Sequence, residues 1–264
     1  MSAVIGIVGA FIIIIVGMIL KGGSIGGIIS IPAFLMVIGG TLGVLIAGAG
    51  MSAVGKLISL SLGPGMKDPP ENRPELINKL VDFSEKARRE GLLSLEADAK
   101  EVDNAFLQKG VSLVVDGTDP ELVRDILETE VGQVEVRHRF NQEIFKNGGA
   151  FAPTIGILVT VLSLVGVLQH LDQPDTLGPK ISAAFLATFY GVAAANIYFI
   201  PMQLHLKAMT EYEVAEKELI VEGVLSIQSG DNPRVLAEKL WSFVPPSLRT
   251  ESSAEGEPAA QAAA

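Results

Sequence analysis

The chain has 264 residues, of which 48% are hydrophobic and 19% charged, and its mean hydropathy is +0.42. That hydropathy is high for a soluble protein and points to membrane segments. The chain has no cysteine, which excludes disulfides, thiolate chemistry and cysteine-based metal sites, and its formal net charge of −10 argues against nucleic acid as a partner.

Four uncharged stretches are long enough to cross a bilayer, which takes about 20 apolar residues. They predict transmembrane helices at roughly 3–20, 28–49, 148–170 and 181–203. The last two are longer uncharged runs than the core of a soluble protein needs. The first could be a signal peptide, but it lacks a basic beginning and a clear small-residue cleavage site, so a membrane helix is favoured.

Short loops join these helices into two hairpins, which a long charged segment separates. The predicted fold is all-α: a polytopic membrane protein with four transmembrane helices in two hairpins and a helical cytoplasmic domain. The predicted segments are transmembrane helices 1 and 2 at 1–50, a cytoplasmic helical loop domain at 51–147, transmembrane helices 3 and 4 at 148–204, cytoplasmic C-terminal helices at 205–247 and a disordered tail at 248–264.

Basic residues near the ends of these helices predict the orientation. Only Lys21 and Lys180 lie in the short loops. The long segments are flanked by Lys56, Lys67, Arg137, Arg139, Lys146, Lys207 and Lys217. Because basic residues are enriched on the cytoplasmic side, the N-terminus, the long loop and the C-terminal region should be cytoplasmic.

The polar segments carry apolar residues at helical spacing. We predict helices at 74–90, on the stripe Leu95, Ala99, Val102 and Phe106, from 120 to about 147, at 209–227 and at 233–243. Gly91 ends the first. Asp119, Pro120 and Glu121 begin the third, which should run straight into the third membrane helix. The loop from 172 to 180, with two prolines and a glycine, separates the last two membrane helices.

Small or hydroxylated residues follow one face of each of the last two membrane helices. They are Pro153, Gly156, Thr160 and Ser163 on one helix, and Ala184, Thr188, Gly191 and Ala195 on the other. Close helix packing is the ordinary interpretation. However, Thr160 and Thr188 lie near mid-membrane, ~18 Å from the cytoplasmic end. Pro153 and Pro201, both near the cytoplasmic ends, predict a hinge or exposed carbonyls at one depth.

None of the four predicted spans contains Asp, Glu, Lys or Arg. A protein that moves ions normally needs an ionisable group inside the membrane. If this chain moves ions, the carboxylate must come from another chain, and the sequence therefore predicts an obligate membrane partner.

Several short blocks occur in a fixed order along residues 1–247. They are ARREGLLSLE at 87–96, VDGTDPE at 115–121, ILETE at 126–130, APTIG at 152–156, AFLATFYG at 184–191, DNPR at 231–234 and FVPP at 243–246. Each block alone is a weak signal, but in this order and on this topology they resemble the MotA/PomA family of flagellar motor stator subunits.

The resemblance implies a ring of five such subunits around a dimer of MotB-like partners in the bacterial inner membrane. Each partner would supply one membrane helix with the ion-carrying aspartate and a domain that binds peptidoglycan. Ion flow, of protons on frequency grounds, would rotate the ring against the rotor protein FliG. The resemblance implies no cofactor.

The resemblance also assigns roles to individual residues. Arg88 and Glu96 match rotor-contacting charges, although an exposed charge is more often only a solvated surface group. Pro153 and Pro201 match two functional prolines that couple conformation to ion flow. Thr160 and Thr188 match threonines near the ion path.

Other functions compete with this one. An ExbB/TolQ-like subunit, which energises an envelope transport or tethering system, would share the last two helices but resembles a three-helix topology. A membrane enzyme is disfavoured because His138, His170 and His205 are too scattered for one local metal site and no nucleophile context is recognisable. A purely structural scaffold would have no reason for mid-membrane hydroxyls that face the same way.

Overall fold

The computed structural model describes residues 2–70, 72–245 and 249, and all regular elements in that part of the chain are helical. The predicted tail at 248–264 therefore lies outside the described residues except for Arg249. The α-helices are α1 (Ser2–Leu20), α2 (Ile31–Phe34), α3 (Gly40–Ala49), α4 (Ser52–Leu62), α5 (Arg73–Glu90), α6 (Leu95–Lys100), α7 (Ala105–Val115), α8 (Pro120–Leu168), α9 (Pro174–Ala193), α10 (Ile200–Ser229) and α11 (Pro233–Trp241).

Wider π-helical turns connect two pairs of these helices, at Leu35–Gly39 and at Ala194–Phe199. Four helical stretches are long and apolar enough to cross a membrane: Ser2–Leu20, Ile25–Ala49, Pro120–Leu168 and Pro174–Ser229. The prediction of four membrane helices in an all-helical chain is thereby confirmed.

The chain divides into two compact units. The first unit comprises Met1–Asp68 and Arg137–Met209, and the second comprises Pro69–Val136 and Thr210–Ala264. In the first unit, buried side chains such as Leu45, Phe145 and Phe199 form a core between the membrane helices. In contrast, α1 has no fully buried residue, and its Ile7 packs half-buried against this core.

The second unit has a conventional hydrophobic core built from its helix faces. Its members include Ile77, Leu80, Leu95, Leu107, Leu127, Leu219, Ile220 and Leu236, all fully buried. The predicted stop of α5 is confirmed, because Gly91 has a φ of 85°, which favours glycine. The predicted start of α8 is confirmed too: the Asp119 carboxylate accepts a hydrogen bond from the Glu121 backbone N–H at 2.9 Å.

Three predicted elements differ from the structure. The stripe from Leu95 to Phe106 is two helices, because the Asn104 side chain accepts from the backbone N–H groups of Phe106 and Leu107 and so starts a new helix, α7. The predicted loop at 172–180 is largely helical, since α9 begins at Pro174. The predicted helix at 209–227 is the continuation of the membrane helix through α10.

The prolines explain why the predicted loop at 172–180 is largely helical. A proline in the first turn of a helix removes an N–H group that has no intrahelical partner in any case. Pro174 therefore starts α9 at little cost, and the helix continues past Pro179, which removes one backbone hydrogen bond. The proline and glycine content of this stretch was misleading because it marks a helix start and not a long loop.

Candidate functional site

Helices α8 and α9 approach each other closely along their small residues. A Cβ atom added to Gly156 would lie 2.8 Å from the Ala187 carbonyl oxygen, and one added to Gly191 would overlap the Ala152 carbonyl. Only glycine fits at such positions, where two membrane helices meet backbone to backbone. The stripes predicted from the sequence are therefore the surface along which these helices pack.

Thr160 and Thr188 meet on this surface. Their hydroxyl oxygens are 2.7 Å apart, and the Thr160 hydroxyl also lies 2.9 Å from the Gly156 carbonyl and 2.8 Å from the Ala184 carbonyl. Thr160 has one hydroxyl proton, so when it donates to a carbonyl it accepts the proton of Thr188. The structure thus brings the two predicted threonines together as a half-buried hydroxyl pair.

The two predicted prolines lie at different levels of the helix pair. Gly148 packs against the ring of Phe199, with 2.5 Å between an added Cβ and the nearest ring atom, while Gly191 packs against Ala152. The two helices run antiparallel, so Pro201, two residues after Phe199, lies beyond the level of Gly148 on the side away from Pro153. Pro153 follows Gly148 by five residues, so the two prolines are about seven residues apart in level, or ~10 Å. The two prolines do not share one depth, contrary to the expectation from sequence.

Pro201 stands directly after a distorted stretch of helix. Proline has no N–H group with which to bond the Ile197 carbonyl. The π-helical turn Ala194–Phe199 ends two residues before Pro201, and π-helical turns of this kind are frequent at functional sites. Pro153, in contrast, lies within the continuous helix α8.

Arg88 and Glu96 lie in the second unit, on either side of the turn between α5 and α6. Both are exposed, and in the described part of the chain Arg88 has no hydrogen-bond or ion-pair partner. Glu96 accepts a hydrogen bond from Lys100 at 2.8 Å, which lowers the pKa of its carboxyl group. An ion pair of 2.7 Å between Lys86 and Asp98 joins α5 to α6, the two helices that carry these exposed charges.

The membrane spans carry no charge in the structure either. Gly148 to Leu168 in α8 and Ile181 to Leu204 in α9 and α10 contain no Asp, Glu, Lys or Arg. Within residues 2–70, 72–245 and 249, no group of three or more His, Asp or Glu side chains could hold a metal ion.

Comparison with known proteins identifies the family. Residues 98–219 match the model of the MotA/TolQ/ExbB proton channel family. Motility protein A of Bacillus subtilis is 37% identical over 256 residues, which cover 97% of this chain and 95% of that protein. The chain belongs to the MotA/PomA family of flagellar motor stator subunits.

Further relatives agree with this assignment. Chemotaxis protein PomA of Vibrio alginolyticus is 33% identical to this chain, and the match covers 92% of this chain and 95% of PomA. The flagellar MotAB stator complex from Bacillus subtilis contains a chain that superposes with a TM-score of 0.88 at 37% identity, covering 95% of this chain and 98% of that one. The family consists of motor stator and proton channel subunits and not of enzymes.

These relatives also decide between the stator and the ExbB/TolQ-like alternative. The family model includes both groups, but the full-length relatives named here are motility proteins. Four membrane-length helices in this chain agree with the stator topology. The MotA-family chain is therefore a multi-pass protein of the bacterial inner membrane.

Tyr190 makes several contacts with residues 28–34 that the sequence-based prediction missed. Its hydroxyl donates to the Ile28 carbonyl at 2.6 Å and accepts from the Ser30 N–H at 2.9 Å, and its ring packs edge-on against Phe34 at 5.9 Å. Backbone outside a helix must find such partners inside a membrane. The available signal was a tyrosine in an apolar helix next to Gly191, but nothing in the sequence names its partners.

Proposed function

We propose that this chain is the torque-generating subunit of a flagellar stator, which with a MotB-like partner conducts ions, most simply protons, and drives the rotor. The observation that carries the proposal is the match with a chain of a MotAB stator complex over nearly the whole length of both chains. The described membrane helices and their packing supply the physical argument.

The missing intramembrane charge argues for the partner. The hydroxyl pair of Thr160 and Thr188 can pass or orient a proton or coordinate a cation, but it cannot carry a charge of its own. A carboxylate on a single-span, peptidoglycan-binding partner helix would complete the path beside the α8–α9 surface. Replacing Thr160 by Val should therefore slow rotation, whereas Thr160→Ser, which keeps the hydroxyl, should retain most of it.

Pro201 is the better candidate for conformational coupling. It lies next to the π-helical turn, where a switch between π- and α-helical hydrogen bonding would shift the rest of α10 by one residue. Pro153, about two turns away, would bend α8 next to the hydroxyl pair. The two prolines would thus act at separate levels and not as one hinge.

The exposed charges of Arg88 and Glu96 are the proposed contact with the rotor protein FliG. Such surface charges give weak, salt-sensitive and repeatable contacts, which suits a part that engages and releases repeatedly. This contact requires the second unit, the N-terminus and the C-terminal region to be cytoplasmic, in agreement with the basic residues near the span ends.

Five copies around a partner dimer are the proposed assembly. A single chain leaves large apolar side chains exposed on its membrane helices, for example Phe185 at 65% and Leu158 at 60%. Lipid, neighbouring copies and the partner helices would share these surfaces in the assembly.

Deleting the gene in its host tests the function. The deletion strain should make flagella and fail to swim, and rescue should need both this gene and that of the partner. Cells that lose outer-membrane uptake or envelope integrity but swim normally would favour an ExbB/TolQ-like role and contradict the proposal.

A further inference from the structure

Helix α4 begins directly after a turn that ends the second membrane span. The preceding span ends at Gly50, whose φ of 79° turns the chain. After α4, the Lys67 carbonyl lies 2.8 Å from Nε2 of His205, near the end of the last span. Asp68 then accepts a hydrogen bond from the Ser2 N–H at 3.1 Å, at the start of α1. The segment 52–68 therefore begins and ends at the same end of the membrane helices.

The side chains of α4 sort into three faces. Ala53 and Leu57 are buried, at 0% and 4% exposure, in the core of the first unit. A second face is apolar and exposed, with Ile58 at 57% and Leu62 at 69%, and Met51, directly before the helix, is exposed at 79%. The third face is polar and consists of Ser52, Lys56 and Ser59. An exposed apolar stripe beside a polar stripe is typical of a helix that lies in the bilayer interface.

Three of the basic side chains near the ends of the membrane spans lack an acidic partner within the described residues. Lys56, Lys67 and Arg137 form no ion pair with any described residue. The Lys56 ammonium lies 4.3 Å from the centre of the Phe140 ring, and Arg137 precedes Phe140 by one helical turn. Glu143, the first acid of α8 after Phe140, is paired with Lys146 at 3.0 Å. Unpaired basic residues next to a lipid-facing stripe match the phosphates of anionic lipids.

We propose that α4 is a lipid-binding helix that inserts Ile58 and Leu62 among acyl chains and binds anionic phospholipid headgroups through Lys56 and Arg137. Because Lys56 and Arg137 are both positively charged, the site selects phosphatidylglycerol-type headgroups over zwitterionic ones. This inference rests on the chain being a membrane protein and not on its role in a motor.

Label accessibility tests the position of the helix. Because the chain has no cysteine, Ile58→Cys and Ser59→Cys each give a single labelling site in the full-length chain reconstituted in phosphatidylcholine–phosphatidylglycerol vesicles. A fluorescent label at 58 should be quenched by a lipid-soluble quencher and one at 59 by a water-soluble one. Water-soluble quenching at both sites, or protection of site 58 from both quenchers by a second copy, would overturn the proposal.

Lipid selectivity tests the headgroup site. The full-length chain is offered equal amounts of phosphatidylglycerol and phosphatidylcholine in detergent, and retained lipids are counted by native mass spectrometry. Lys56→Gln and Arg137→Gln should each lower the preference for phosphatidylglycerol about fivefold. The matched control is Lys21→Gln with Lys180→Gln, at the opposite ends of the spans, which should leave it unchanged. An equal loss in the control, no loss in either, or displacement of the lipid by inorganic phosphate contradicts the proposal.

Discussion

Tyr190 shows how much one side chain can contribute inside a membrane. Tyr190→Phe keeps the ring against Phe34 but leaves the Ile28 carbonyl and the Ser30 N–H without their partner. Unpaired backbone groups cost about 1–3 kcal/mol, so we expect a clear drop in the midpoint of thermal unfolding of the full chain in detergent.

Tyr198→Phe is the matched control for this prediction. The Tyr198 hydroxyl contacts only the Ser61 hydroxyl, at 2.7 Å, and Ser61 keeps a second bond to the Leu57 carbonyl. The loss of the Tyr198 hydroxyl should lower the free energy of unfolding by about 1 kcal/mol or less. Equal midpoints for the two variants would contradict the role of Tyr190.

Glu216 makes the stability of the second unit depend on pH. Burial raises the pKa of this half-buried carboxyl group, against the lowering effect of Lys217, Arg73 and a hydrogen bond from Asn104. A folded state with a raised pKa gains stability from the protonated form at low pH and loses it as the pH rises through that pKa.

Replacing Glu216 by Gln should therefore stabilise the chain at neutral pH. Gln can still accept the hydrogen bond from Asn104 but cannot ionise. The gain in melting temperature should shrink as the pH falls through the raised pKa toward the usual glutamate range. The exposed neighbour Glu218, changed to Gln, is the control. A pH-independent gain, or the same gain in the control, would rule out this explanation.

At the scale of elements, the pairing of α8 with α9 depends on the absence of side chains. Gly156→Ala would push a methyl group against the Ala187 carbonyl, 2.8 Å away, and overpacking of this kind costs about 1–3 kcal/mol. Gly166→Ala, on the same helix, meets nothing within 4 Å. We expect Gly156→Ala alone to lower the unfolding midpoint and the swimming speed. Similar losses in both variants would point to a general effect of helix glycines.

Helices with long apolar stripes could be predicted from the sequence, and those interrupted by local chemistry could not. The periodicity of α5 and the cap of α8 were sufficient to place both. The break between α6 and α7 was missed because the side chain of one residue, Asn104, makes it within a continuous stripe. The π-helical turns leave no periodicity signal at all, since their cause is hydrogen bonding and not residue type.

The candidate site was predictable only in part for the same reason. Thr160 and Thr188 stand on stripes of small residues, so their meeting follows from the packing of two helices. The separation of Pro153 and Pro201 depends on the register of that packing, which single-sequence reasoning does not give. The pairing of Glu96 with Lys100 follows from their i, i+4 spacing, although the prediction considered only the charge of Glu96.

For the whole molecule, the distribution of charge is the central observation. The chain has 20 basic and 30 acidic residues, yet none of them lies in the membrane spans between Gly148 and Leu168 or between Ile181 and Leu204. A subunit of this composition can shape an ion path but cannot supply its ionisable group. Torque should therefore be a property of the complex and not of this chain alone.

Rotation of tethered cells tests that claim most directly. A strain lacking both genes is given this chain alone, this chain with the wild-type partner, or this chain with a partner whose membrane carboxylate is changed to the amide. We predict rotation only with the wild-type partner. Rotation by the chain alone, or with the amide-bearing partner, would contradict this prediction and show that the ion-carrying group does not lie on the partner's membrane helix.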